Sequence, residues 1–291
     1  MNHKFLGVQH IIFCRDIIWS FRKILPHRGS RSTILPFRTM GYSSSDEESA
    51  QTCHFGELNA IKQVVTTDQL NPEATGALIL MHGTGDNAKC FSRMINYLMG
   101  QKAAFPHIRI IYPTAPFTPY TPALGVPTTT WFDISNYTMD AVENEDNINR
   151  VGQDLLRIID SQVKCGIPRN RIAVGGFSRG GAMAFHLGFN LAPDIAAVGV
   201  MSSWIPYSSV IYKFLRERSP SQKLPVLLQQ HGEYDEMVNI SEGRTTFEEL
   251  KKLGVQGKFS TLPRQGHVVS KKEIEDLFQF VSELIPVQQG I

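Results

Sequence analysis

The sequence predicts an α/β fold with a mostly parallel central sheet and helices on both faces. Two observations predict it. Short apolar runs rich in β-branched residues recur at 76–81, 108–112, 172–174, 196–201, 226–230 and 258–262, and stretches with helical spacing separate most of them. Strand and helix in alternation imply parallel strands joined by helical crossovers. With 291 residues, 42% hydrophobic and 19% charged, the chain can fill one large core of this kind. It contains no internal repeat and no sign of a second folded domain.

The catalytic-size body is expected over 56–291, preceded by a basic extension and polar linker over 1–55. Residues 1–45 carry seven basic side chains against Asp16 alone, a charge of +6, and the rest, with 22 basic against 26 acidic, is at −4. That mildly acidic body lacks a nucleic-acid footprint. The extension is Arg-rich and acid-poor, and Arg15 and Asp16 interrupt its apolar run. It fits a mitochondrial transit peptide better than a secretory signal, with a disordered leader as the other reading. A start at Met40 would instead give a loose myristoylation pattern, Met40-Gly41-Tyr42-Ser43-Ser44-Ser45. Without a working leader the expected compartment is the cytoplasm. No apolar run reaches the roughly 18 residues of a membrane span. Cys14, Cys53, Cys90 and Cys165 are widely spaced, without zinc or disulfide-framework spacing, and read as buried free thiols. Oligomeric state leaves no signature in the sequence.

Within the body, 60–67 has strand character. The apolar run 76–81 leads into His82-Gly83-Thr84-Gly85-Asp86, and a helical pattern follows to about residue 99. After the strand at 108–112, Pro113, Pro116, Pro119, Pro122 and Pro127 exclude both helix and central strand. A loop this long in a compact domain points to function, and it closes on Trp131-Phe132-Asp133. Ile148, Val151, Leu155, Ile158, Ile159 and Val163 give the next helix an apolar face for the core. Further helices are expected at 182–187, 207–218, 241–253 and 270–284.

The chemistry centres on Gly176-Phe177-Ser178-Arg179-Gly180, between an apolar strand and a helix rich in small residues. This is the nucleophile-elbow pattern of α/β-hydrolases, whose glycines let strand and helix approach closely around an exposed serine. A serine needs a base and a group to orient it, and in this fold acid and base follow the serine in that order. His267, before the last helix, is favoured as base over His231. Asp235 is favoured as acid over Glu233 and Glu236. His231 is then a structural hydrogen-bonder, His186 a packed or surface residue and His82 a loop brace. Two backbone donors for an oxyanion are expected from Arg179, after the serine, and Thr84, in the early glycine loop. Asp86 is expected to fix that loop or to cap the following helix. Phe117, Tyr120, Leu124 and Val126 of the proline-rich loop, with Trp131, are candidate walls of an acyl pocket.

Six stretches carry a resemblance that runs from about residue 76 to residue 286. They are Leu78-Ile79-Leu80-Met81-His82-Gly83-Thr84-Gly85-Asp86; Ile110-Ile111-Tyr112-Pro113-Thr114-Ala115-Pro116; Trp131-Phe132-Asp133; Gly175-Gly176-Phe177-Ser178-Arg179-Gly180-Gly181; His231-Gly232-Glu233-Tyr234-Asp235-Glu236-Met237-Val238; and Gly266-His267. In these the chain resembles the acyl-protein thioesterase and carboxylesterase family. The resemblance implies an α/β-hydrolase without a cap domain. It also implies nucleophile, acid and base at Ser178, Asp235 and His267, oxyanion donors at Thr84 and Arg179, and no cofactor or metal. Its expected substrates are acylated proteins or small acyl esters, with lysophospholipids as an alternative; a catalytically idle binding protein of the same fold is the competing class. Two departures from the family pattern stand out. Arg179 replaces an uncharged residue such as glutamine, which places a cation near the acyl site unless its side chain turns away. Val268 and Val269 replace small polar residues after the base.

Overall fold

The computed structural model describes residues 53–288; the expectations for the leader and for Met40 lie outside them. In chain order the strands are β1 (Val64–Thr67), β2 (Gly76–Met81), β3 (Ile108–Pro113), β4 (Phe117–Pro119), β5 (Pro127–Thr129), β6 (Ile172–Phe177), β7 (Ala197–Met201), β8 (Val226–Gly232) and β9 (Gly257–Leu262). The helices are α1 (Ala88–Met99), α2 (Glu145–Lys164), α3 (Arg179–His186), α4 (Val210–Glu217), α5 (Ile240–Lys252) and α6 (Lys271–Leu284). Seven strands form one sheet in the order β1-β3-β2-β6-β7-β8-β9. β1 is antiparallel to β3 and every other pairing is parallel. β4 and β5 form a separate hairpin in which Pro119 lies opposite Pro127, so the proline-rich segment stays off the main sheet.

Alternation along the buried strands decides which helices cover which face. Ala77, Ile79 and Met81 of β2 pack with Ile148, Leu155 and Ile159 of α2 and with buried residues of α3, α4 and α5. Leu78 and Leu80 point the other way and pack with Phe91 and Ile95 of α1 and Ile274, Leu277 and Val281 of α6. Both faces are therefore dry, as a parallel sheet requires. Helix α1 begins at Asn87, whose side chain accepts from the Cys90 N–H at 3.0 Å. The capping role expected of Asp86 thus falls to its neighbour, while the Asp86 carboxylate accepts from the Asn87 N–H at 2.8 Å. Between β7 and β8 the described chain holds α4 and no inserted domain.

The strand expected over 60–67 is shorter, because its first part is bound to a carboxylate instead of a neighbouring strand. Asp154, buried in the middle of α2, accepts from the N–H groups of Asn59 at 3.1 Å, Ala60 at 2.7 Å and Ile61 at 2.9 Å. Arg157 adds a bond at 2.7 Å. Burial alone would push this carboxyl's pKa up, but the three N–H groups and Arg157 outweigh it and hold it down. A second tie lies nearby: Cys53 and Cys165, the latter just past the end of α2, are joined in a disulfide. The free-thiol expectation is therefore corrected for this pair. Their separation of 112 residues hides the pairing from any spacing rule, and folding brings their Cα atoms to 6.1 Å. Asp154→Ala should leave three backbone donors unsatisfied and cost about 3 kcal/mol of stability, read from urea unfolding; an unchanged midpoint would remove the clasp from the account.

Candidate active site

All the predicted chemical groups gather at the carboxyl ends of the parallel strands, where open α/β sheets bind ligands. Ser178 sits between β6 and α3 with φ 53° and ψ −123°, a left-handed position that a residue with a side chain rarely adopts. Packing enforces it. A Cβ on Gly176 would strike the Gly180 backbone, and one on Gly180 would strike the carbonyls of Met81 and His82 at the end of β2. The Ser178 N–H donates to the Met201 carbonyl at 2.9 Å, and its carbonyl accepts from the Ala182 N–H at 3.1 Å. The elbow is thus fastened to β7 on one side and to its own helix on the other.

From the half-buried Ser178 hydroxyl a hydrogen-bonded chain runs inward. Ser178 Oγ lies 2.9 Å from His267 Nε2, and His267 Nδ1 lies 2.8 Å from Asp235 Oδ2. A carboxylate only accepts, so Nδ1 carries a proton, and Nε2 faces the hydroxyl. The other Asp235 oxygen accepts from the N–H groups of Met237 at 3.0 Å and Val238 at 2.8 Å. Burial pushes the Asp235 pKa up, but bonds from His231, His267 and the Val238 N–H override it and hold the carboxyl well below its usual range. It is a fixed negative charge that orients the imidazole. His231 is fully buried, donates through Nε2 to the Val238 carbonyl at 2.9 Å and lies 3.4 Å from Asp235. Glu233 and Glu236 are exposed on the same loop and, among the described residues, form no hydrogen bond with Ser178, His267 or Asp235.

The glycine loop after β2 brings Thr84 to the same end of the sheet. Gly83 packs so closely that a Cβ there would lie 3.0 Å from the Phe177 ring and 3.5 Å from Ser178 Cβ. Among the described residues neither the Thr84 N–H nor the Arg179 N–H donates to another group. The loop is braced from behind. His82 donates through Nδ1 to the Gly83 carbonyl at 2.7 Å and accepts at Nε2 from the Ala115 N–H at 3.0 Å. The Trp131 indole N–H donates to the His82 carbonyl at 2.8 Å. Burial lowers the His82 pKa to about 4, against the smaller opposing effect of its bond to Gly83. The ring therefore stays neutral, as its two bonds require. Asp86 nearby is pushed up to about 6 by burial, partly offset by the Asn87 N–H.

The residues expected as acyl-pocket walls separate into two groups. Phe117 and Leu124 stand in solvent on the hairpin, 73% and 91% exposed, and Val126 is exposed beside them. Tyr120 and Trp131 are enclosed: the Tyr120 hydroxyl donates to Tyr137 at 3.0 Å, and Trp131 sits behind the glycine loop. Val268 points outward, while Val269 packs toward the α1 and α6 face. The Arg179 side chain turns inward and is 2% exposed, with its guanidinium carbon 5.0 Å from the ring centres of both Phe132 and Trp204. His186 is packed inside the same region, 3.0 Å from Glu143.

One brace escaped sequence reasoning. Gln265 accepts from the Tyr234 N–H at 2.8 Å through its carbonyl, and its side-chain amide donates to the Val268 carbonyl at 2.9 Å and to Glu273 at 2.6 Å. Glu273 in turn closes a capping box with Ser270 at the start of α6. The signal available was Ser270-Lys271-Lys272-Glu273, the Ser-x-x-Glu spacing of such a box. Gly232 belongs to the same junction, since a Cβ there would strike the Gln265 carbonyl. Among the described residues no group of three or more His, Cys, Asp or Glu is placed to hold a metal ion.

A serine hydroxyl bonded to an imidazole, a buried carboxylate behind it and two unused N–H groups lie together at one end of the sheet, an arrangement of the kind acyl transfer requires. A family model described as Phospholipase/Carboxylesterase matches residues 60–285. The chain belongs to this family. Among its relatives, lysophospholipase-like protein 1 of Mus musculus is 39% identical over 212 residues, covering 73% of this chain and 88% of the mouse protein. Acyl-protein thioesterase 1 of Mycosarcoma maydis is 30% identical over 244 residues, covering 79% of this chain and all of the fungal protein. The crystal structure of Zea mays acyl-protein thioesterase 2 superposes with a TM-score of 0.67 over 77% of this chain and 99% of that one, at 22% identity, and supports the fold. Membership establishes an ester or thioester hydrolase.

The His82 brace has a pH signature. Its folded pKa lies below the unfolded value of 6.5, so its stabilisation is complete above that value and is lost as pH falls from 6.5 towards 4. The loss should reach about 3 kcal/mol over this window. His82→Gln should flatten the stability profile between these limits, and parallel profiles for the two proteins would contradict the assignment.

Proposed function

We propose that Ser178, His267 and Asp235 are the nucleophile, base and acid of a serine hydrolase that cleaves acyl thioesters or esters, with acylated proteins and small acyl esters as its substrate class. The observation that carries this reading is the hydrogen-bonded chain from Ser178 Oγ through His267 to Asp235. The names of the thioesterase relatives support the substrate class. His267 Nε2 takes the hydroxyl proton as Ser178 Oγ attacks the acyl carbon. Asp235 stabilises the resulting imidazolium, and the N–H groups of Thr84 and Arg179 receive the oxyanion. The imidazolium returns its proton to the departing sulfur or oxygen, leaving an acyl-serine. Water then attacks with His267 as base, the carboxylic acid is released and Ser178 Oγ regains its proton.

No cofactor is needed in this sequence of steps. Phe117 and Leu124 on the hairpin are proposed to meet the incoming substrate, with Tyr120 and Trp131 supporting the wall from behind. Among the described residues no helix is long and apolar enough to cross a membrane. The Cys53–Cys165 bond removes the thiol argument for a reducing compartment, so a cytoplasmic site of action rests on the family reading alone.

A fluorophosphonate probe should label the wild-type protein and leave Ser178→Ala unlabelled; labelling of the alanine variant would sink the nucleophile assignment. Asp235→Asn should lower kcat on a p-nitrophenyl ester on the order of 10⁴-fold with little change in KM, because the imidazole loses its tautomer control. A loss below tenfold would move the acid elsewhere.

A further inference from the structure

Arg179 poses a physical problem that the acyl-transfer steps leave unanswered. Its backbone N–H is assigned to the oxyanion, but its side chain is a cation taken almost wholly out of water. Nε and Nη1 are buried without hydrogen-bond partners. Glu143, the carboxylate that feels this charge, is engaged by His186 at 3.0 Å and forms no ion pair with the guanidinium among the described residues. Phe132 and Trp204 offer ring faces at 5.0 Å. Such faces offset part of the charge, yet they supply no oxygen to accept the N–H bonds. Buried donors left in this state cost stability. If the only task were to fill space, an apolar side chain of similar volume would do so without that desolvation cost.

A buried guanidinium with open N–H bonds fits one kind of partner best, a planar anion able to accept two parallel bonds. We propose that Arg179 is the receptor for a carboxylate carried by the acyl group, so that the enzyme prefers hemiesters or hemithioesters of short dicarboxylic acids. Chain adjacency limits the length: an arginine next to Ser178 calls for a second carboxylate only a few carbons from the reacting carbonyl. Binding supplies the missing acceptors beside Phe132 and Trp204 and fixes the acyl carbon over the serine. The proposal rests on the reading of Ser178 as nucleophile, and it deepens that reading by naming the acyl group.

Two measurements on the full chain test it separately. Calorimetry of monomethyl succinate with Ser178→Ala reads anion binding without turnover; saturable binding is expected, weakened on the order of 30-fold when Arg179→Met is added. Kinetics then compare p-nitrophenyl hemisuccinate with p-nitrophenyl butyrate. The wild-type kcat/KM ratio should favour the hemisuccinate and fall on the order of 30-fold in Arg179→Met, with Arg179→Lys in between because an ammonium cannot form the fork. Equal ratios in wild type and variant overturn the proposal. So does a variant that only gains longer neutral acyl esters, which would make the arginine a filler. Butyryl esters of 4-hydroxybenzoate and of phenol place the charge on the leaving group instead; an Arg179-dependent preference there overturns the acyl-side assignment. A wild-type protein that hydrolyses no ester and takes no fluorophosphonate sinks the nucleophile reading, while the calorimetry still decides the anion site.

Discussion

The close approach of α3 to the end of β2 is the constraint from which the site follows. Gly180 has no side chain because the carbonyls of Met81 and His82 occupy the space a Cβ would take. That contact sets where the helix begins, and the helix start forces Ser178 into its left-handed conformation at φ 53°. The same contact carries the glycine loop after β2 up to the serine. One packing event thus presents the hydroxyl and brings the N–H groups of Thr84 and Arg179 to the same end of the sheet. Backbone strain of order 1–3 kcal/mol at the serine is offset by burial on both sides of the elbow.

Electrostatics around this frame follow a division of labour. The acid side is charged and saturated with donors: Asp235 receives two backbone N–H groups and the two histidines, which keeps it ionised despite burial. The glycine-loop side is neutral, because burial holds His82 in a form that can both donate and accept. Arg179 breaks the pattern. It is a cation next to Ser178 whose Nε and Nη1 are buried without partners among the described residues.

Much of this was legible in the chain. The strands and helices follow from alternation and helical spacing because both faces of the sheet are dry. The order Ser178, Asp235, His267 is the chain order of β6, β8 and β9, whose parallel arrangement puts all three carboxyl ends on one side of the sheet. Long-range partners were not legible. Nothing local marks Asp154 as the acceptor for residues 59–61, or Cys53 as the partner of Cys165. The inward turn of Arg179 depends on Phe132 and Trp204, which come from two distant loops. Of the two roles expected of Asp86, it takes the one in the loop turn, and Asn87 caps α1. Even so, the Ser-x-x-Glu box at α6 was present in plain text.

That box, with Gln265, has a consequence for motion. Through its carbonyl and its amide, Gln265 ties the acid loop, the base loop and the start of α6 together. Asp235 and His267 are thereby fastened to each other twice, by their own 2.8 Å bond and through Gln265, whereas Ser178 is held by β7 and α3. Ser178 meets this pair across the 2.9 Å contact between its hydroxyl and His267. A shift of the start of α6 would therefore carry both loops with it and be felt at the contact with Ser178.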